Sequence, residues 1–371
     1  MNAVISKPVR IAILANPAGG GGMTKVVINL LKGLVIRGYV PDLVLDFALD
    51  KPYIKDVPKQ VRIVDLKTKI AYKTQSAIKL VPPLVRYLRE EKPDLLISHL
   101  VFTNVVVAIA RNLAFVPVCL ALVEHLPLAN SSNSLLRIFR RSLYAQADAV
   151  ITVSKGMAQE LETYLSMKPG TVQAIYNPVV DPNLFLDAQA PLDHPWFQAN
   201  QPPVLLAVGR LTTQKDFPTL LHAFARLRLQ QKVRLLILGE GELRKKLQAL
   251  VVELGLENDV SLPGFVKNPY AYMSRAAAFV LSSRWEGLPT VLIEAIACGC
   301  QVVSTDCPNG PSEILAQGKY GRLVPVGDVT ALAQAMQLAL ENPIDAPQLR
   351  KRSQDFSIER SVSEYLQLIG Q

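Results

Sequence analysis

The sequence predicts an α/β protein built from two doubly wound parallel sheets, and three observations predict it. Its 371 residues exceed one ordinary core and suit two domains. Apolar runs of strand length alternate with helix-length segments in two successive series, and strands apolar on both faces belong to parallel sheets covered on each side. A Pro-rich stretch of low regularity, 178–203, separates the series and reads as a linker.

The first series opens with the strand "VRIAILA" (9–15), which runs through "NPAGGGG" into a helix whose Val26, Val27, Leu30, Leu31, Leu34 and Val35 keep helical spacing. Strands follow at 42–46, 61–66, 94–98, 118–123 and 149–153. The second series places strands at 204–208, 233–238, 259–265, 277–283, 301–305 and 322–326, again with helices between.

Composition excludes several classes. Half the residues are apolar and 19% charged, as in globular proteins. The apolar run of "MNAVISKPVRIAILA" begins after Arg10, which is not the layout of a signal peptide. The most apolar segment, 101–123, is broken by Arg111, Asn112 and Pro117 and reads as helix plus buried strand, not as a membrane span. Cys119, Cys298, Cys300 and Cys307 form no C-x-x-C pair, which points to free thiols in the cytoplasm. Residues 1–180 hold 22 Lys and Arg against 12 Asp and Glu, whereas residues 181–371 are nearly balanced. The first half therefore faces an anionic partner. Its cations lack interleaved aromatics, so an anionic membrane or a phosphorylated acceptor fits better than nucleic acid.

Ligands of such sheets lie beyond the carboxyl ends of the strands. After strand 204–208, "GRLTTQKDF" (209–217) puts Arg210 and Lys215 in one loop. A planar double donor beside a mobile point charge suits a diphosphate, although such a pair alone also reads as surface basic residues. "RWEGLPTVLIEAIACG" (284–299) places Glu286 in a loop and Glu294 inside an apolar run, where a lone carboxylate is costly. Pro289 fits the first turn of a helix whose N–H groups can bind an anion. Helical side chains lean toward the N-terminus, so Glu294, one turn past Thr290, reaches back to hydrogen-bond a ligand's hydroxyls. A structural salt bridge is the alternative. Gly19 to Gly22 permit close approach of backbone to a phosphate or sugar without matching G-x-G-x-x-G, and a tight turn explains them equally. His99 and His125 both fall at strand carboxyl ends, whereas His194 and His222 read as structural or exposed. Without D-x-D or metal-spaced His and Cys, diphosphate neutralisation falls to Arg210, Lys215 and helix dipoles.

These residues resemble a known family, the retaining glycosyltransferases of family 4 (glycosyl transferases group 1), marked by Glu, seven residues, Glu. Its parts here include "GGMTKVVINL" (21–30), "DLLISHLVFTN" (94–104), "LVEH" (122–125), "VGRLTTQKDFPTLLHAFARL" (208–227), "LPGFVKN" (262–268) and "SSRWEGLPTVLIEAIACGCQVVSTD" (282–306). The resemblance spans nearly the whole chain. It implies the GT-B fold, two Rossmann-like domains facing each other across a cleft. The expected domains are 1–180 on the acceptor side, 181–350 binding the nucleotide sugar, and 351–371, a C-terminal helix packing back on the first.

By the same resemblance, Arg210 and Lys215 hold the nucleotide diphosphate and Glu294 the ribose. Glu286 and His125 are the catalytic residues, meeting the donor sugar. Gly22, Gly287, Leu288, Pro289, Thr290 and Val291 contact sugar and phosphate through their backbones, and Gly264 to Val266 flank the base. His99 is a weaker match, on the acceptor side. The implied reaction moves a sugar with retention and without metal or cofactor, from a nucleotide sugar, most readily a UDP-sugar, to a glycan or lipid-linked glycan. Pro178 stands where the family has Gly and Lys25 where Arg is common, and neither departure alters that expectation. "LLRIFRRSLYAQ" (135–146), with Leu135, Leu136, Ile138, Phe139 and Leu143 among Arg137, Arg140 and Arg141, is a candidate for resting on the inner face of a membrane, or else a core-packed helix with a solvated basic face. A nucleotide-sugar 2-epimerase and a non-catalytic nucleotide-sugar scaffold are the rival readings, while a phosphorylase would need a lysine-bound pyridoxal site that the sequence does not offer.

Overall fold

The structure, a computed structural model, describes residues 9–15, 21–48, 51–68, 78–125 and 134–370. The chain forms two compact units, Met1–Pro178 with Ile358–Gln371, and Val179–Ser357.

In the first unit the described strands are β1 (Ile11–Leu14), β2 (Asp42–Leu45), β3 (Arg62–Asp65), β4 (Leu95–His99), β5 (Cys119–Glu124), β6 (Ala149–Thr152) and β7 (Val172–Ala174). They form one sheet in the order β3-β2-β1-β4-β5-β6-β7, with every pairing parallel. The second unit holds β8 (Val204–Val208), β9 (Arg234–Leu238), β10 (Val260–Gly264), β11 (Ala278–Leu281), β12 (Val302–Thr305) and β13 (Arg322–Val324), also parallel, in the order β10-β9-β8-β11-β12-β13. Each order reverses beside its first strand, between β1 and β4 and between β8 and β11. At such a switch point the connections leave in opposite directions and open a crevice at the carboxyl ends.

The continuous apolar strands are buried on both faces, as in β1 and β12. Helix Phe217–Arg228 covers the second sheet with Leu220, Leu221, Phe224 and Leu227, one stripe at helical spacing. Each such side chain stabilises the unit by about 1.5–3 kcal/mol. The first unit's core is separate and gathers Leu96, Leu120, Leu122, Val106 and Val107 among others.

Four details differ from the sequence expectation. β7 is a three-residue edge strand with one buried side chain, Val172, too short to show a pattern. The stretch 178–203 is not a plain linker, since helix Pro182–Gln189 forms there. Asp181 caps that helix, its carboxylate accepting from Asn183 N–H at 3.0 Å, and Pro182 opens the first turn. The boundaries also move, from 180 to Pro178 and from 351 to Ile358. Residues 351–357 stay with the second unit because Arg352 donates to the carbonyls of Glu313 and Ile314, while Phe356 is fully buried and its carbonyl receives Val179 and Val180 N–H. Helix Ile358–Gln367 then packs on helix Gly22–Ile36 at Gly33, where an added Cβ would stand 2.5 Å from Ile358 Cγ2 and 2.6 Å from Val362 Cγ2. Finally, Pro289 is the N-cap of helix Thr290–Ala297, one place outside its first turn.

Candidate active site

At the second unit's switch point the loops after β8 and β11 meet. The stem of Lys215 lies across Gly209, where a Cβ would stand 3.2 Å from Lys215 Cε, so glycine there lets the lysine fold back over the strand end. Its ammonium reaches Glu286 Oε1 at 2.5 Å. Ser283 Oγ donates to the same oxygen at 2.6 Å, and Gln214 Nε2 donates to Glu286 Oε2 at 3.4 Å and to the Trp285 carbonyl at 2.9 Å. Ser282 Oγ donates to the Lys215 carbonyl at 2.7 Å, and Arg284 N–H to the Gln214 carbonyl at 2.8 Å. A carboxylate only 6% exposed is therefore matched by one cation and two neutral donors, the pairing that burial of a charge requires. Asp216, buried with a left-handed backbone, takes Arg284 Nε at 3.0 Å and Thr219 Oγ1 at 2.9 Å, which ties Arg284 to structure.

Gly310 supports the next loop from below. Its φ is +90°, and a Cβ there would stand 2.6 Å from Pro289 Cδ and 3.1 Å from Gly287 O. Gly287, Leu288 and Pro289 are buried, while Thr290 and Val291 are half-buried at the start of the helix. No side chain caps that N-terminus. Glu294, 2% exposed, accepts from Tyr270 OH at 3.2 Å. Its carboxylate thus has a neutral donor inside the apolar run. Arg210 is exposed beside β8 and makes no side-chain hydrogen bond or ion pair with the other described residues. Gly264 ends β10 with φ +97°, its carbonyl accepting Gly239 N–H at 2.8 Å, with Val266 half-buried and Phe265 exposed beyond it.

In the first unit, Gly22 begins helix Gly22–Ile36, whose N-cap Gly21 is extended and offers no side chain. The rest of the glycine run, Gly19 and Gly20, lies outside the described residues. His99 ends β4 and His125 follows β5, with His99 Nδ1 2.7 Å from His125 Nε2. Burial, and for His99 also the neighbouring ring, push both imidazoles below the ordinary histidine range, His125 to about 4. Beside them, Glu124 Oε1 pairs with Arg140 Nη2 at 2.5 Å and accepts from Tyr144 OH, all three buried.

Two family models match the chain, "Glycosyltransferase Family 4" over residues 20–181 and "Glycosyl transferases group 1" over residues 192–356. The chain belongs to this glycosyltransferase family. Among its relatives is an N-acetylgalactosaminyltransferase of Campylobacter jejuni acting on N-acetylgalactosamine-N,N'-diacetylbacillosaminyl-diphospho-undecaprenol, 37% identical over 57% of this chain and 56% of that one. The match thus spans little more than half of that relative. A second Campylobacter jejuni protein, an α-1,4-N-acetyl-D-galactosaminyltransferase acting on a diphospho-undecaprenol-linked glycan, is 26% identical over 98% of both chains. The sucrose-phosphate synthase of Thermosynechococcus elongatus shares the fold, with a TM-score of 0.81 at 24% identity over 97% of this chain and 98% of that one.

The fold brings Lys215 into direct contact with Glu286, although the resemblance assigns them to separate parts of the donor. Two expectations need correction. His99 is fully buried against His125 and has no surface with which to meet an acceptor. Arg140 is not part of a basic outer face, because it turns inward to Glu124, and Leu143 is buried beside it. The side chains of Leu135 and Leu136 lie outside the described residues, while Arg137, Ile138, Phe139 and Arg141 are exposed. Sequence reasoning missed Gln214, Ser283 and Tyr270. Ser283, three residues before Glu286, was open to notice, but Gln214 and Tyr270 reach their glutamates only through the packing of separate loops.

Proposed function

We propose that this glycosyltransferase transfers an N-acetylhexosamine or hexose, with retention and without a metal, from a UDP-sugar to a glycan or lipid-linked glycan acceptor. The observation that carries the reading is the Lys215–Glu286 pair held by Ser283 and Gln214 at the switch point, beside the uncapped helix that carries Glu294. Lys215 and Arg210 serve the diphosphate, the helix N-terminus adds partial positive charge, Glu294 takes the ribose hydroxyls, and Glu286 takes the donor sugar's hydroxyls. Gly22, Gly287 to Val291 and Gly264 to Val266 supply donor contacts, and His125 donates to the transferred sugar. Stabilising charge that develops on a departing diphosphate lowers the barrier without a metal when fixed cations and dipoles already point at it.

The relatives' names support an acceptor linked through diphosphate to undecaprenol, and others name lipopolysaccharide synthesis. On this reading the enzyme works in the cytoplasm at the inner face of a membrane. Exposed Ile138 and Phe139 between Arg137 and Arg141 suit an anionic bilayer, and equal flotation with anionic and neutral vesicles would remove that part. Among the described residues no helix is long and apolar enough to cross a membrane.

The test is transfer from UDP-N-acetylgalactosamine, UDP-N-acetylglucosamine, UDP-galactose and UDP-glucose to a synthetic undecaprenyl-diphosphate glycan, with and without chelator. An α-linked product formed equally with chelator present is expected. A β-linked product, a chelator-sensitive rate, or epimerised sugar without transfer would each overturn the reading.

A further inference from the structure

His99 and His125 meet because β4 and β5 pair in register, His99 opposite Val123, two residues before His125. The chain turns sharply at once. Leu100 has φ +79° and ψ 141°, a region almost reserved for glycine, and its N–H bonds the Val123 carbonyl at 3.2 Å. A strained residue fastened to the neighbouring strand thus fixes the backbone behind His99. The rings stand 5.0 Å apart, tilted by 37°.

A gap of 2.7 Å between two ring nitrogens holds one proton. His99 is fully buried, and its other nitrogen, Nε2, has no hydrogen-bond partner among the described residues. That buried, unpartnered nitrogen decides the direction. If His125 donated, neutral His99 would carry its own proton on Nε2, a buried N–H with nothing to receive it. If His99 donates from Nδ1, Nε2 is only a bare lone pair, and orphaned buried donors are the rarer state. We propose that His99 is a positioning residue, donating Nδ1–H to His125 Nε2 and so holding His125 in the tautomer with its proton on Nδ1. Both rings are neutral near pH 7, as a fixed tautomer requires, because burial holds them below the ordinary range.

The consequence deepens the transferase reading, on which it rests only for its effect on turnover. With Nε2 occupied, His125 keeps one outward function, an N–H that can donate to an oxygen of the donor sugar. It has no lone pair with which to act as a base, so the acceptor's proton must leave by another group, in keeping with a departing phosphate that takes it.

The chain has four histidines, so 15N-histidine labelling with His99→Phe and His125→Phe assigns their ring nitrogens. Long-range 1H–15N correlations then report each tautomer. The expected result is His125 protonated at Nδ1 and unprotonated at Nε2, a shift toward the other tautomer in His99→Phe, and recovery in His99→Asn, whose amide N–H stands near Nδ1. Turnover falls about ten-fold in His99→Phe, the worth of one hydrogen bond, and returns in His99→Asn. A proton on Nε2 of His125 in the unsubstituted protein, or a spectrum unchanged by His99→Phe, overturns the proposal. Should His99→Phe not fold, the tautomer of the unsubstituted protein decides alone. A fixed Nδ1–H tautomer in a protein that transfers no sugar would overturn the transferase reading and leave the role of His99 standing.

Discussion

The carboxyl ends of the two sheets handle polarity in opposite ways. In the second unit the ionised Lys215 and Glu286 stand together with hydroxyl and amide donors around them, and exposed Arg210 is close by in the same loop. In the first unit the strands end in two neutral imidazoles, and the charges beside them, Glu124 and Arg140, are sealed against each other. One topology therefore supports two electrostatic designs. On the proposed reading, a charged diphosphate would be met by charges that can exchange partners, and a neutral sugar hydroxyl by a neutral donor of fixed direction. Breaking the first unit's pair should damage stability, and breaking the second unit's pair should damage chemistry as well.

The largest effect is expected in the sealed pair. Arg140→Met leaves the Glu124 carboxylate buried without its counter-charge, which destabilises by about 3–5 kcal/mol. Urea unfolding monitored by circular dichroism measures it, and adding Glu124→Gln should restore most of the loss. A single variant within about 1 kcal/mol of the parent, the scale of an ordinary surface pair, would show that the cluster carries little stability.

The Lys215–Glu286 pair should show its effect in turnover. Glu286→Gln keeps shape and hydrogen-bonding capacity but removes the charge, and turnover should fall about 10²–10³-fold. Turnover within about ten-fold of the parent, worth only about 1.4 kcal/mol, would take Glu286 out of the chemistry.

Acid should find the first unit through its histidines. A histidine whose folded pKa is depressed binds its proton at lower pH in the native state than in the unfolded chain. The unfolded state then holds more protons between the two values, and stability rises with pH. For His125, held at about 4, the contribution is complete above the unperturbed value and is lost as pH falls toward 4. On the order of 2 kcal/mol should disappear between about pH 6.5 and 5. His125→Phe should reduce that slope in a urea series, leaving the part due to His99, and an unaltered slope would mean that the ring is solvated.

Both sheets were legible because each strand is a continuous apolar run, and twelve of the expected strands lie within a residue or two of their observed ends. The edge strand Val172–Ala174 was not, since one buried residue in three makes no pattern. Within the candidate site, Glu286, Glu294, Arg210 and Lys215 announce themselves by local context, a charge in an apolar run or cations after a strand. The contacts among them do not. Lys215 and Glu286 are 71 residues apart, and their meeting depends on β8 and β11 becoming neighbours. Arg140 shows the converse, because its spacing with Arg137 and Arg141 reads as one basic face until Glu124 draws it inward.

The smallest predicted effect sharpens the comparison most, because it tests whether neutral donors aim carboxylates in the second unit as His99 aims His125 in the first. Tyr270 OH donates to Glu294 Oε1 at 3.2 Å across 24 residues, from helix Tyr270–Met273 to helix Thr290–Ala297. The phenol adds no charge, so its worth lies in direction, holding the carboxylate toward the ribose hydroxyls assigned to it. Tyr270→Phe keeps the packing and deletes one donor. A neutral hydrogen bond contributes about 1 kcal/mol, so the dissociation constant for UDP should rise about five-fold by calorimetry. Turnover at saturating donor should stay within about two-fold, since losing an interaction made equally in ground and transition states raises KM alone. A matching fall in turnover would place Glu294 in the chemical step, and unchanged affinity would show that the carboxylate needs no such aim.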